Sequence, residues 1–464
     1  MSFPESSPHH ASTPPIRCRP GPSALPPAGA LALAGTQAVA QTIPVPAVSP
    51  AVDRAYATLE AAPLVKKVLA DVKADDARSL GDLRALTEIP APPFKEKARA
   101  EYFLSRLKAL GLADAHIDAE GNAIGIRKGS GNGPKLLISA HLDTVFPEGT
   151  DVTVKARDGR LYAPGISDDT RGLTVLLSWL KVLNDNQVRT VGDLVFVGNV
   201  GEEELGNLRG MKAVFRDHPD LDGMVGLEPG VGDRVLSLGT GSHRYAVTFR
   251  GPGGHSFGAF GLPSAIHAMG RAIAKVSDVR PPEDPKTTFT VGTVGGGTSV
   301  NAIAGDARMA VDIRSNATPS LLETEKQIMA AIEAGVAEEN RRWHPADAAS
   351  QITYQVKQIG DRPAGHTPPD AIIVQAAVRA IKGYGKGTPS LRGGSTDANV
   401  PMSLGIPAII IGSGGKTGGF HARDEWYDPT NAWEGAQVGL TTVLGLVGVQ
   451  GVSQPLLEKR AAAR

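Results

Sequence analysis

The chain carries one cysteine, Cys18, among 464 residues. A lone thiol excludes an intrachain disulfide and any metal site built from several thiolates. No apolar run reaches the roughly 18 residues of a spanning helix, so no membrane partner is expected. Neither sign of charge is in excess, since Lys+Arg 48 balances Asp+Glu 48. That balance gives no electrostatic footprint for nucleic acid or for an anionic lipid surface. What is present is 41% hydrophobic, with 55 glycines and 35 prolines for tight turns. The length suffices for two domains and a large core.

Residues 1–50 are rich in Pro, Ala and Ser and show no periodicity. Arg17 and Arg19 precede the weakly apolar AGALALAG, and Ala38-Val39-Ala40 gives a small-x-small pattern before Gln41. This predicts an export signal cut after Ala40, which removes Cys18 and places the mature protein in the periplasm or outside the cell. Pro26 and Pro27 interrupt the apolar stretch, and the competing reading is a disordered tail on a cytoplasmic protein.

From Ala51 the pattern is globular. Leu83, Leu86 and Ile89 fit a helix stopping at Pro90, and Phe103, Leu104, Leu107 and Leu110 fit another stopping at Gly111. The short apolar runs NAIGI, KLLIS, DLVFVGNV, GMVGL and PAIIIG read as strands, and GLTVLLSWLKVL as a buried helix. Such alternation predicts an α/β fold: a mostly parallel sheet with helices on both faces.

A different pattern begins near Ser242. HRYAVTFRG, TTFTVGTV, ARMAVDIRS and ITYQVKQI read as strands. Leu262, Ile266, Met269, Ile273 and Val276 fit one helical face, and Leu321, Ile328 and Ile332 another. Residues 242–366 are therefore expected to form a small α+β domain inserted into a larger one made of 51–241 and 367–455.

Chemistry-bearing side chains cluster after the apolar runs. They are His141 and Asp143 in SAHLDTV, Asp168 in APGISDDTRG, Glu203 and Glu204 in GEEELGN, Glu228 in GLEPG and His421 in GGFHARDEW. Strand ends are where α/β folds keep their sites. Imidazoles and carboxylates suit borderline metals such as zinc, and adjacent carboxylates are tolerated when a cation offsets their repulsion. Alternation in a strand puts His141 and Asp143 on one side, where the aspartate can orient the imidazole. Each island also has a plainer reading: Asp168, Asp169 or Thr170 could cap a helix, and three glutamates could be a solvated run.

Taken together, SAHLDTV, APGISDDTRG, GEEELG, GLEP, RGPGGHSF and GGFHARDEW resemble, in order, the motifs of one two-zinc metallopeptidase family. It includes glutamate carboxypeptidase, tripeptide aminopeptidase (peptidase T), acetylornithine deacetylase and aminoacylase. The resemblance spans Ala51 to Val447. It implies a catalytic domain, a lid and dimerisation domain, and a homodimer. It implies two zinc ions per chain, with Co2+ or Mn2+ as substitutes, bridged by Asp168. His141 and Glu228 hold one ion, Glu204 and His421 the other, with Asp143 orienting His141. The family's Glu-Glu-x-Gly spacing makes Glu203 the general base. His255 matches a lid histidine, often given to the neighbouring subunit, and Asn301 and Arg314 match substrate-gripping positions, with Arg392 a further one of that kind. A plainer reading of Arg314 is a solvent-facing arginine beside Asp312.

The expected substrate is a small peptide or N-acyl amino acid. Glu228 in place of aspartate favours a carboxypeptidase or deacylase, whereas RGGSTDAN and QIGDRPAG favour a tripeptide aminopeptidase. A reading from another class, a metal-stabilised peptide-binding protein, needs the ligands but not the base. GSGGKT lacks the first glycine of a phosphate loop, because Ile410 stands there.

Overall fold

The computed structural model describes residues 43–384 and 388–461. The expected export segment and Cys18 lie outside the described residues. The larger sheet has 9 strands. Its centre runs in the order Asp193–Asn199, Lys135–His141, Gly223–Glu228, Ala408–Gly412, all mutually parallel. On one side Ala123–Arg127 and then His116–Ile117 join antiparallel. On the other, Arg234–Gly239 runs antiparallel to Ala408–Gly412 and pairs with Gly365–His366 and Ser390–Gly394. Arg234–Gly239 and Ser390–Gly394 are strands that sequence patterning missed, because neither has a long apolar run.

Both faces of the parallel centre are covered, which is why its strands read as continuous apolar runs rather than alternating ones. One face packs on Pro63–Thr87, Thr170–Asp185, Ile372–Gly383 and Trp433–Val447, with Trp179, Leu176, Leu440 and Val443 buried between them. The opposite face packs on Arg209–Asp217 and Asn399–Ser403 through Met211, Val214, Val400 and Met402. A leucine or valine buried in this way contributes roughly 1.5–3 kcal/mol. Thr170–Asp185 is apolar nearly all round because it lies inside this layer. Its N-cap is Asp169, whose side chain accepts from Gly172 N.

A second, four-stranded antiparallel sheet has the order Thr287–Gly296, Asp306–Ser315, Gly241–Arg250, Thr353–Arg362. Ala265–Ser277 and Thr318–Trp343 pack on one face of it, around Val247, Phe249, Met309, Val311 and Ile313. Arg308, Asp312 and Arg314 alternate onto the other face, as the period of two requires. One helix departs from expectation. It begins at Ala265, so Leu262 precedes it, and Ile266 is 38% exposed; Ala265, Ala268, Met269, Ala272 and Val276 form the buried stripe. Small alanines allow the close approach to Gly335, whose added Cβ would meet Ala272 N at 2.5 Å.

The chain enters the second sheet at Gly241 and leaves it at Arg362, where Ser242 and Arg362 are paired neighbours.

Candidate metal centre

The parallel strands end on one edge, and their ends supply the site. His141 is the last residue of Lys135–His141, Glu228 the last of Gly223–Glu228, and Glu202 and Glu203 follow Asp193–Asn199. Asp168 precedes Thr170–Asp185, and His421 lies between the short strands Lys416–Gly418 and Trp426–Asp428.

Side-chain donor atoms of His141, Asp168 and Glu228 lie within 4.8 Å of one another, and so do those of Asp168, Glu203 and His421. The two groups share Asp168. His141 Nε2 is 3.1 Å from Asp168 Oδ1, while His421 Nε2 is 3.4 Å from Asp168 Oδ2 and 3.3 Å from Glu203 Oε1. His141, Glu202 and Glu203 form a third such group. Nitrogen and oxygen donors without a thiolate, centred on a carboxylate that faces two imidazoles, fit a pair of borderline divalent ions.

The arrangement departs from expectation in the glutamate run. Glu204 belongs to none of these groups, is exposed, and takes a left-handed φ of 46° as it opens the turn Glu204–Gly206. Glu203, not Glu204, lies beside Asp168 and His421, and Glu202 lies beside His141 and Glu203 and is paired with Arg362. The cause is local. Asp143 accepts the backbone N–H of Glu202 at 3.1 Å and of Glu203 at 2.8 Å, which clamps those two residues under the cluster. Asp143 also meets His141 differently from expectation: its carbonyl oxygen is 3.0 Å from Nδ1, its carboxylate 3.7 Å.

Electrostatics follow from crowding in a dry place. Burial, then neighbouring Glu202, pushes Glu203 up to about 8. Burial also raises Glu202 and Glu228. Burial resists charge on His141, yet its hydrogen bond to Asp168 and the charges of Glu228 and Asp143 hold it well above the usual imidazole value. His421 is pushed up to about 9, chiefly by Asp168. Asp168 is held low despite its burial, because both histidines donate to it. Bound cations would compensate the same crowding of carboxylates.

Three supporting residues were not singled out in the sequence. Glu425 is fully buried and accepts from Gly165 N, Ser167 N, Ser167 Oγ and Asp168 N at 2.9, 2.8, 2.6 and 3.0 Å, fixing the turn that presents Asp168. Gly165 in that turn has φ 71°, and an added Cβ would meet Thr144 Cγ2 at 2.5 Å. Arg362 from the smaller sheet pairs with Glu202. Asp397, pushed up to about 7 mainly by burial, accepts from Asn199 at 2.6 Å. Their partners lie more than 150 residues away, so no spacing rule marks them.

A cavity of about 620 Å3 opens over the cluster and is lined by Asp168, Glu202, Glu203, Glu228, His421 and a wall of Arg244, Arg314 and Arg362. Arg314 and Arg244 share the Asp312 carboxylate, at 2.7 and 3.1 Å. Arg314 thus both lines the cavity and pairs with Asp312. His255 and Asn301 do not line this cavity. His255 is on the strand pair Gly254–His255 and Ala302–Ile303 and Asn301 immediately precedes its second strand, where Ser256 N donates to Asn301 O, beside the exposed Phe257 and Val300. Arg392 lines a separate cleft.

A sequence description of peptidase family M20/M25/M40 matches residues 137–444. Carboxypeptidase G2 of Pseudomonas sp. (strain RS-16) is 27% identical over 350 residues, covering 71% of this chain and 79% of that protein. The putative succinyl-diaminopimelate desuccinylase DapE of Mycobacterium tuberculosis (strain ATCC 25618 / H37Rv) is 25% identical over 351 residues, covering 74% and 91%. The crystal structure of aminopeptidase PepT from Bacillus cereus ATCC 10987 superposes with a TM-score of 0.65 at 22% identity, covering 79% of this chain and 98% of that one.

Proposed function

Because this chain belongs to peptidase family M20/M25/M40, whose members hydrolyse C–N bonds with the help of metal, we propose that it is a two-zinc exopeptidase or deacylase. Its substrates are small peptides or N-acyl amino acids with a free carboxylate beside the scissile amide. The observation that carries this reading is the cavity itself, with an acidic metal cluster on one side and Arg244 and Arg314 on the other.

In this reading His141, Asp168 and Glu228 would hold one ion, and Asp168, Glu203 and His421 the other. Co2+ or Mn2+ can substitute for zinc. When bound, the ions acidify a water and polarise the scissile carbonyl. Glu202 takes the water's proton and passes it to the leaving amine. Arg362 sets the orientation of Glu202, and Asp143 sets the backbone beneath it. Arg314 receives the substrate carboxylate with a fork of N–H donors, which requires it to loosen from Asp312. Glu228 at the metal and the similarity to carboxypeptidase G2 support this side of the family. His255 and Asn301, at an exposed tip with Phe257 and Val300, complete the site of a second copy of the chain in a homodimer. An Ala40 cut and export remain part of the proposal.

The test compares an N-acetylated dipeptide with the same dipeptide carrying a free amine and a C-terminal amide. Loss of the charge-assisted pair should cost about 1.5–3 kcal/mol, or roughly tenfold to over a hundredfold in kcat/KM. Faster cleavage of the amidated peptide would make the enzyme an aminopeptidase. Failure of the loaded protein to hydrolyse either would leave a peptide-binding protein.

A further inference from the structure

The space around the metal cluster does not end at the arginine wall. A smaller cavity of about 290 Å3 shares Asp168, Glu228 and Thr396 with the main one and is walled by Leu236, Ile410 and Ile411. At Arg234 and Phe420 it adjoins a cleft of about 540 Å3 lined by Arg234, Arg392, Lys416 and Trp426. In that cleft three cations stand against one carboxylate, Asp233. Arg234 is engaged with the carbonyl of Pro229, and Arg160 covers one face of Trp426 at 4.1 Å. Among the described residues the Arg392 guanidinium makes no hydrogen bond or ion pair, and Arg392 is exposed. A guanidinium without a partner, on a wall with excess positive charge, is a recognition element for a carboxylate. The apolar stretch before it disfavours charge nearer the metals.

We propose that this basic cleft is a distal subsite for a carboxylate at the far end of the substrate's acyl portion, with an apolar spacer lying along Leu236, Ile410 and Ile411. The ligand class is an N-acyl amino acid whose acyl chain is apolar in the middle and anionic at its tip. The proposal rests on the hydrolase reading above and extends it to the other side of the scissile bond.

Two series of N-acyl amino acids test it on the zinc-loaded full chain, one ending in a carboxylate and one in the primary amide, with acyl chains of increasing length. Once the chain is long enough, the carboxylate series should show KM lower by roughly two- to fivefold, the modest gain of solvent-exposed ion pairs, with kcat unchanged. Arg392→Gln, alone or with Lys416→Gln, should erase that gain and leave KM for the amide series as it was. Arg392→Lys should restore part of it. Equal KM for the two series at every length overturns the subsite, and so does an Arg392→Gln effect that is the same in both. Failure to cleave even short N-acetyl amino acids would instead overturn the hydrolase reading beneath it.

Discussion

Arg362 donates to a carboxylate oxygen of Glu202 at 3.2 Å and also to that residue's carbonyl. The pair joins the smaller sheet to the floor of the cavity and leaves Glu202 buried but addressed by a cation. Glu203, one residue on, faces Asp168 and His421 instead. Adjacent glutamates therefore have separable duties. We expect Glu202→Gln to retain its metal and lose roughly two to four orders of magnitude in turnover, the scale of a missing general base. Glu203→Gln should lose metal, and Glu204→Gln should stay near wild type. Metal analysis and kcat of the three proteins, side by side, check this. A metal-replete, inactive Glu203→Gln with an active Glu202→Gln would reverse the assignment.

Asp168 stands between the two imidazoles, so its loss should be felt by both ions. Asp168→Ala is expected to retain little metal at either position. Two ions per chain in the purified variant would reduce Asp168 to a loop residue.

Glu425 makes four contacts to the turn that carries Asp168. Glutamine in its place accepts through one atom instead of two and leaves buried donors unmet. We expect Glu425→Gln to weaken metal affinity by roughly ten- to a hundredfold, the usual effect of losing a group that orients a ligand. Competition with a chelator measures it, and an unchanged affinity would confine Glu425 to stability.

His243 lies far from metal chemistry in role. Its Nδ1 is 2.6 Å from Glu325 on Thr318–Trp343, and its Nε2 is 3.4 Å from Asp361 on Thr353–Arg362. The imidazolium is the form that can donate to both, and Asp361 foremost raises its pKa above 6.5. A raised pKa means stability fully present below the unfolded value and lost as pH rises through the folded one. The thermal stability margin of the wild type over His243→Gln should therefore be largest near pH about 5.5 and smaller near pH about 9.5. A margin that does not change with pH would show that the imidazole acts only by packing.

The centre of the fold was legible because strands buried on both faces must be apolar along their length, as DLVFVGN and KLLISAH are. The second sheet was legible from alternation, with Met309, Val311 and Ile313 against Arg308, Asp312 and Arg314. The strands beyond Ala408–Gly412, Arg234–Gly239 and Ser390–Gly394, were not, since they are short and mixed in composition. Most metal-centre residues were visible as islands at strand ends. The local geometry of GEEELG was not, because Glu-Glu-x-Gly spacing points to Glu203-Glu204, whereas the chain turns left-handed at Glu204 and Asp143 grips the two residues before it. That grip is a tertiary contact about 60 residues long in sequence, invisible to any local pattern.

The smaller sheet is joined to the larger one through strands that are paired neighbours at Ser242 and Arg362. Every residue of the metal cluster comes from outside that sheet, whereas Arg244, Arg314 and Arg362 all belong to it. An attachment at two adjacent points makes the unit exchangeable, since chain ends that lie together can be rejoined or replaced at little conformational cost. Replacing the insert would change Arg244 and Arg314 on the cavity wall and leave the metal cluster in place, with Arg362 the contact to Glu202 that a replacement would have to keep.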